Sequence, residues 1–313
     1  MSILVTGSIA YDTIMVFPDR FKNHLLADQL HILNVCFLTP EMRREFGGTA
    51  ANIAYNLRLL GESPLVMATV GEDIGPYLAR LEKLGIATRL LKRIAGEFTA
   101  QAFITTDLDD NQITAFHPGA MNFAHENRIT RELDATLAII APDGKQGMLE
   151  HAEQCAALGI RYMFDPGQGL PMFSGEELER MLRGAAFVAV NDYEGRLLEE
   201  KTGRRLDDIA RGVEALVCTL GAKGSLIYAG GQRHEIPCVE ADAVIDPTGC
   251  GDAYRAGLLY GLANGWDWPR TGRLAAVMGA LKIAQRGAQN HAPSREEIEA
   301  RFRRAFGDSP WKG

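Results

Sequence analysis

The residues best suited to chemistry stand in the stretch DPTGCGDAYRAG, residues 246–257. Gly249 and Gly251 free the backbone to point successive N–H groups in one direction, and a helical pattern begins at Asp252. N–H groups at the positive end of a helix dipole suit a phosphate or a developing negative charge. A carboxylate at that junction can act as a general base toward a hydroxyl that attacks a phosphoryl group. It can also simply cap the helix, and the residues alone leave both interpretations open.

Further polar residues follow short apolar runs, which is where an open α/β sheet binds its ligands. The candidates at these strand ends are Asp12, Gly47 with Gly48, and residues 165–169, 191–194 and 219–224. Each has a plain structural explanation as well. Asp12 can be a turn residue, Asn52 a surface position on a helix, and Glu194 a first-turn charge that the helix dipole favours.

Spacing excludes several other kinds of site. The sequence has no G-x-x-x-x-G-K-[ST] phosphate loop, and no G-x-G-x-x-G follows the first strand. The histidines form no cluster, and the cysteines show neither a C-x-x-C pair nor metal-ligand spacing. A P-loop nucleoside triphosphatase, a dinucleotide-binding dehydrogenase and a zinc site are therefore disfavoured.

The elements that must position the candidates change in pattern along the chain. Residues 3–15 and 25–39 are typical of early strands, and residues 99–120 predict a hairpin that turns at Asp109-Asp110-Asn111. Later, the short apolar runs LAIIAP, YMFDPG, FVAVND and ALVCTLG alternate with helical stretches. That alternation predicts an α/β fold with helices on both faces of a mainly parallel sheet, plus a small β layer near the N-terminus.

Composition limits the class of protein. A chain of 313 residues that is 46% hydrophobic can bury a large core. The net charge of −7 argues against a nucleic-acid binder, because the phosphate backbone demands clustered positive charge. Five scattered cysteines fit reduced thiols, and neither a signal peptide nor a membrane span is indicated. We therefore expect a cytoplasmic protein without a nucleic-acid or membrane partner.

Four motifs in a fixed order resemble the PfkB, or ribokinase-like, family of carbohydrate and nucleoside kinases. They are GGTAAN near residue 50, the N-x-x-E of residues 191–194, the T-x-G of residues 219–221 and DPTGCGDAYRAG near residue 250. The stretches VTGSIAYD, FPDRF, FHPGAM and NDYE are similar to the bacterial adenosine kinase branch of that family. The resemblance runs from residue 5 to residue 257.

The resemblance implies one ribokinase-like unit over residues 1–313. A small β-sheet lid would comprise approximately residues 10–45 and 97–120, and the remainder would form a large Rossmann-like domain. The implied reaction moves the γ-phosphoryl group of ATP to the 5′-hydroxyl of a nucleoside, with Mg²⁺ as cofactor. Many relatives also bind a monovalent cation such as K⁺ near the loop of Asp246 and Thr248, a point that the sequence leaves open.

The family pattern also implies roles for single residues. Asp252 is similar to the catalytic base, and the N–H groups of Gly249, Cys250 and Gly251 to an anion hole. It implies that the Asp12 carboxylate accepts hydrogen bonds from the ribose hydroxyls. The residues that assist it are Ser8, Gly48 and Asn52. On the ATP side it implies Asn191, Thr219, Gly221, Gly224 and Asp246. Asn191 and Glu194 resemble the pair that organises Mg²⁺ and its waters.

The residues expected around a purine base depart from the adenosine kinase pattern. Phe103 and Phe116 lie on the predicted hairpin, where each could stack on a base or pack within the lid. Cys36 replaces an expected serine, and Ala102 an expected aromatic residue. Gln168 is followed by glycine where a second glutamine is expected, although Gln168 can still hydrogen-bond a base edge. A wider pocket follows, which favours inosine and guanosine as substrates beside adenosine.

Two alternative functions stay open, and the sequence also favours one oligomeric state. A sugar kinase of the same family would phosphorylate ribose or fructose, which Phe116 disfavours. A non-catalytic nucleoside-binding protein on the same fold would have no need of Asp252. Exposed apolar strands in the lid favour a homodimer. The apolar residues concerned either pair across the dimer or face the substrate, and they are Leu25, Leu26, Ile32 and Phe37.

Overall fold

The computed structural model describes residues 2–25, 34–109 and 111–311. In this part of the chain the strands are β1 (Ser2–Thr6), β2 (Ala10–Val16), β3 (Glu41–Gly47), β4 (Leu65–Val70), β5 (Ala87–Arg93), β6 (Ala100–Thr106), β7 (Gln112–His117), β8 (Ala135–Ile140), β9 (Arg161–Phe164), β10 (Phe187–Asn191), β11 (Ala215–Thr219), β12 (Ser225–Ala229) and β13 (Gln232–Ile236). The α-helices are α1 (Thr49–Leu59), α2 (Gly75–Lys83), α3 (Lys145–Leu158), α4 (Gly175–Gly184), α5 (Asp192–Thr202), α6 (Leu206–Arg211), α7 (Cys250–Ala263), α8 (Trp268–Ile283) and α9 (Arg295–Phe306).

The larger sheet has nine strands in the order β13-β12-β11-β10-β9-β8-β1-β4-β5. The neighbours from β11 to β5 run parallel, and β12 and β13 add an antiparallel hairpin at one edge. Alternate residues of β1 enter different cores: Ile3 and Val5 pack with α1, α7 and α8, whereas Leu4 packs with α3, α4 and α5. Because both faces are covered, inner strands such as β4, β10 and β11 are almost entirely apolar, and the predicted α/β fold is confirmed.

The smaller sheet has four strands in the order β3-β2-β6-β7. The predicted hairpin is confirmed as the antiparallel pair of β6 and β7. A strand over residues 25–39 is wrong where it can be checked, because residues 34–39 have no regular structure; residues 26–33 lie outside the described ranges. The sheet instead takes β3, which pairs with β2 from Ala10 opposite Gly47 to Val16 opposite Glu41. Long-range pairing thus selects the charged segment EMRREFG, since its outward side chains stay in water.

Helices α7 and α8 make the closest helix contact of the site region, and glycines permit it. A Cβ at Gly257 would lie 2.4 Å from Cα of Ala275, and one at Gly261 would lie 2.3 Å from Oγ1 of Thr271. This close approach fixes α7 against its neighbour. In the described ranges, no helix has the length and apolar character needed to cross a membrane.

Replacing Gly257→Ala should lower the free energy of unfolding by about 1–3 kcal/mol, because an added methyl group overpacks the contact with Ala275. Gly75→Ala is the matched control, since Gly75 begins α2 with open space around its Cα and an ordinary φ of −44°. The control should change stability by less than about 1 kcal/mol and in the stabilising direction. Urea unfolding of both variants measures the difference, and equal midpoints would contradict the packing argument.

Candidate active site

The carboxylate of Asp252 lies in the first turn of α7, but it does not cap that helix. The N-cap is Gly249, with a left-handed φ of 80°, and Asp252 stands three residues later. Its Oδ2 accepts a hydrogen bond of 2.8 Å from Nδ2 of Asn52, in the first turn of α1. The carboxylate therefore bridges two helix N-termini rather than serving its own helix.

A buried relay fixes which way the Asn52 amide points. Nε2 of Gln289 donates to Oδ1 of Asn52 at 2.9 Å and to the hydroxyl of Tyr77 at 2.6 Å. That hydroxyl in turn donates to the carbonyl of Gly47 at 2.6 Å. Since the amide oxygen of Asn52 is already an acceptor, its nitrogen must face Asp252. Sequence reasoning missed Gln289 and Tyr77, because neither belongs to one of the motifs that indicated the site.

The surroundings of Asp252 bring its pKa close to neutrality. Burial raises the pKa, the hydrogen bond from Asn52 lowers it, the charge of Asp165 raises it and that of Arg255 lowers it, to a net value of about 7. A carboxyl with that pKa is divided between its two protonation states near pH 7. Such a group can accept a proton in one step and release it in the next.

A buried ion pair lies beside this carboxylate. Arg255, one turn further along α7, donates from Nε and from one terminal nitrogen to the two oxygens of Asp165, both at 3.1 Å. The same guanidinium lies 3.9 Å from Oε2 of Glu194. All three side chains are buried. Arg255 thus joins α7 to the ends of β9 and β10, and it balances carboxylates that would otherwise repel one another.

The glycine-rich turn presents fewer free N–H groups than expected. Cys250 donates its N–H to the carbonyl of Pro247 at 3.1 Å, so this group is occupied. Within the described ranges, the N–H groups of Gly249 and Gly251 have no protein acceptor. The sequence led us to expect three free donors, but the N–H of Cys250 is engaged in the turn and two remain. The carboxylate of Asp246 holds the turn, because it accepts from the N–H groups of Thr248 at 2.9 Å and Gly287 at 2.8 Å.

Asp12 approaches the same loop from the smaller sheet. Its pKa is raised to about 6 by burial and by the charges of Glu45 and Asp246. Gly47 permits this position, since a Cβ there would lie 2.5 Å from Oδ2 of Asp12. Gly48 has a φ of 89° and passes so close to β2 that a Cβ would meet the N of Ala10 at 2.5 Å. Both glycines are therefore required by the geometry.

Ser8 lies in the turn between β1 and β2 and contacts the start of α1, whereas Asn52 lies in the first turn of α1 itself. Oγ of Ser8 accepts the N–H of Thr49, the first residue of the helix, at 3.1 Å. Ser8 is buried, and its hydroxyl stabilises the start of α1. Asn52 is turned toward Asp252 by the relay described above.

Strand register separates the two aromatic candidates. Asp12 pairs with Ala102, which pairs with Phe116, so these three side chains share one face of the sheet. Phe103 pairs with Thr13 and stands on the opposite face. The structure therefore brings Phe116, and not Phe103, to the side of Asp12.

The remaining candidates lie around the rim. Cys36 is exposed in the irregular segment before β3, and Gln168 is exposed directly after β9. Thr219 ends β11, and a Cβ at Gly224 would lie 2.1 Å from the carbonyl of Ile236. Gly221 is exposed with a φ of 57°.

Asn191 and Glu194 form a reciprocal cap at the start of α5. Oδ1 of Asn191 accepts the N–H of Glu194, and Oε2 of Glu194 accepts the N–H of Asn191, both at 2.7 Å. Burial and the charge of Asp165 raise the pKa of Glu194, while Arg255 lowers it. In the described residues, no cluster of three or more His, Cys, Asp or Glu side chains could hold a metal ion.

A family model of the pfkB carbohydrate kinases matches residues 9–295, which include Asp12, Asn52 and Asp252. The chain belongs to the pfkB family of carbohydrate kinases. This pfkB kinase is accordingly a phosphotransferase that acts on a hydroxyl acceptor.

Relatives of this pfkB kinase include enzymes with different acceptors. The nucleoside kinase of Burkholderia thailandensis, solved with inosine, is 52% identical with a TM-score of 0.90, over 99% of this chain and 100% of that one. A nucleoside kinase of Methanocaldococcus jannaschii is 33% identical over 86% of this chain and 89% of its own length. A fructokinase of Escherichia coli is 27% identical over 81% of this chain and 91% of its own length. These likenesses confirm the ribokinase-like fold.

The two raised pKa values predict the pH dependence of phosphotransfer. Because an ionised carboxylate is the stronger proton and hydrogen-bond acceptor, we expect kcat/KM to fall as pH drops through about 7, where Asp252 becomes protonated. It should fall more steeply below about 6, where Asp12 also becomes protonated.

Gln289→Leu should move the upper inflection to higher pH by about 0.5–1 unit, because a released Asn52 no longer lowers the pKa of Asp252. Gln146→Leu, at an exposed position on α3, should leave the profile unchanged. Initial rates between pH 5 and 9 measure both effects. An upper inflection that stays in place or moves down in Gln289→Leu would refute the relay.

Proposed function

We propose that the protein is an ATP-dependent nucleoside kinase of the bacterial adenosine kinase type. It transfers the γ-phosphoryl group of ATP to the 5′-hydroxyl of purine nucleosides, with inosine and guanosine accepted as well as adenosine. The observation that carries this proposal is the Asp252 carboxylate, held by Asn52 beside the free N–H groups of the glycine turn. The 53% identity to a nucleoside kinase solved with ADP and inosine supports it.

In the proposed reaction Asp252 accepts the proton of the 5′-hydroxyl as the oxygen attacks the γ-phosphorus. The new O–P bond forms while the bond from the γ-phosphorus to the bridging oxygen breaks, and ADP leaves with that electron pair. The N–H groups of Gly249 and Gly251, at the positive end of α7, stabilise the charge on the transferring group. The raised pKa of Asp252 suits this role, because the carboxyl can gain and lose a proton near pH 7.

The smaller sheet supplies the proposed nucleoside contacts. Asp12 accepts hydrogen bonds from the ribose hydroxyls, which are strengthened by its charge. Phe116 stands on the same face, half exposed, and can stack on the base. Between them Ala102 contributes only a methyl group, so the face leaves room for purines with different exocyclic groups. This favours a broad purine preference over strict adenosine specificity.

Asn191 and Glu194 are the proposed organisers of Mg²⁺. Glu194 uses Oε2 for the helix cap and keeps a second oxygen for a metal-bound water. The ion would neutralise phosphate charge when it enters with ATP. Thr219, Gly221 and Gly224 lie beside this cap and would contact the nucleotide.

The test is ADP formation from Mg-ATP with adenosine, inosine, guanosine, cytidine, ribose and fructose, with Asp252→Asn as the isosteric control. A purine nucleoside should turn over, and the variant should lose about 10²–10⁴-fold in kcat while it still binds nucleoside. A ratio of kcat/KM for adenosine over inosine above about a thousand would contradict the broad pocket. Turnover of a free sugar alone would establish a sugar kinase, and nucleoside binding without turnover would establish a binding protein.

We further propose that the protein is a homodimer in the cytoplasm. Met42, Phe103 and Ile113 share the face of the smaller sheet opposite Asp12, and each is exposed by at least 41%. The lid residues expected in this role give a mixed result. Phe37 packs against Phe17 at a ring distance of 4.8 Å, and Leu26 and Ile32 lie outside the described residues. The described cysteines are free, as a reducing compartment requires.

Sedimentation velocity should give twice the chain mass of 34.2 kDa for the wild type. Phe103→Glu should shift the protein to a monomer, because a buried charge opposes the pairing of apolar faces. Met172→Glu, at an exposed apolar residue of the large domain, should leave the dimer intact. A monomeric wild type would refute the proposed homodimer.

A further inference from the structure

Lys282 is a fully buried lysine, and its ammonium contacts Asp246, the first residue of the glycine-rich turn. The side chain belongs to the last turn of α8 and has no exposed surface. Its Nζ donates to the carbonyl of Asp246 at 2.7 Å and to the carbonyl of Gln285 at 3.0 Å. Burying an ammonium is costly unless its surroundings compensate the charge, so this position calls for an explanation.

Asp246 is tied to the end of α8 through both its backbone and its side chain. Its N–H donates to the carbonyl of Ile283 at 3.1 Å, and its carbonyl accepts from Lys282. Its carboxylate accepts from the N–H groups of Thr248 and Gly287. The ammonium thus connects α8 to the first residue of the turn that carries Gly249 and Gly251.

The donor set around this ammonium is the kind that a monovalent metal ion would choose. Backbone carbonyl oxygens are ligands for hard cations, and a nearby carboxylate adds negative charge. The family resemblance implies such an ion near the loop of Asp246 and Thr248. In this chain two of those carbonyl oxygens already bind the ammonium, and a second cation in contact with them would be repelled. The residues present therefore do not fit a metal ion at this place.

We propose that the Lys282 ammonium is the built-in cation of the phosphate-binding loop and makes the enzyme independent of K⁺. Lys282 is a positioning residue: it acts through Asp246 on the turn that presents the N–H groups of Gly249 and Gly251. Its charge also lowers the pKa of the Asp246 carboxyl, and it offsets the negative charge that gathers in the cleft. The inference deepens the proposed kinase function and shares its site.

The experiment compares wild type with two variants in buffers whose only monovalent cation is N-methylglucamine or K⁺, at equal ionic strength. ADP formation from inosine is the first readout, and the melting temperature without substrates is the second. Lys282→Ala removes the charge and leaves room for an ion. Lys282→Met removes the charge but fills the space, so it is the matched control.

The wild-type rate should change less than about twofold between the two buffers, because its cation is covalently attached. Without K⁺, Lys282→Ala should lose at least about tenfold in kcat, and K⁺ should restore most of the loss. K⁺ should also raise the melting temperature of Lys282→Ala, because an ion that binds only the folded state stabilises it. Lys282→Met should lose activity to a similar degree without rescue, and its melting temperature should not respond.

A wild-type rate that K⁺ raises more than about fivefold would overturn the proposal, as would a Lys282→Ala variant that K⁺ neither rescues nor stabilises. If Lys282→Ala does not fold in either buffer, the wild-type comparison decides alone, and indifference to K⁺ supports the proposal. The melting-temperature readout does not depend on turnover. Absence of turnover in every buffer, together with K⁺-dependent melting of Lys282→Ala, would defeat the proposed function and leave this inference standing.

Discussion

The hydrogen bond between Asn52 and Asp252 is the constraint on which the site depends. It joins residues 200 positions apart, and it fixes a partly dehydrated carboxylate where two helices begin. An amide can hold this bond in only one orientation, so Gln289 must occupy its oxygen, and Tyr77 must anchor Gln289. A chain of buried side-chain hydrogen bonds therefore connects the core of the large domain to the carboxylate of Asp252.

Charge balance is the second requirement of this cleft. Asp12, Asp252 and Glu194 all have raised pKa values, since burial and the repulsion of neighbouring carboxylates penalise their ionised forms. Two buried cations offset that repulsion from opposite sides: Arg255 pairs with Asp165, and Lys282 binds the loop of Asp246. Both cations come from α7 and α8, the helices that pack most closely. Tight helix packing and electrostatic compensation are thus supplied by the same elements.

The smaller sheet divides its two faces by the alternation of its strands. One face holds Asp12, Ala102 and Phe116 toward the loop, and the other exposes Met42 and Phe103. Because successive residues point to opposite sides, a shift of one position would exchange these roles. Pairing register therefore decides which aromatic ring can meet a nucleoside.

The sequence by itself determined the large α/β domain, because apolar runs separated by helical stretches leave few alternatives, and glycines mark where helices must start. Its motifs also placed Asp12, Asn52 and Asp252 in one site. The local pattern predicted a strand over residues 25–39, whereas β3 lies at Glu41–Gly47. It also did not separate Phe103 from Phe116, because register is a property of paired strands. Only the tertiary structure decided three contacts: the Cys250 N–H donates to Pro247, Gln289 orients Asn52, and Lys282 donates to the carbonyl of Asp246. Those partners are distant in sequence, and buried polar groups choose them by proximity in space, which no local periodicity records.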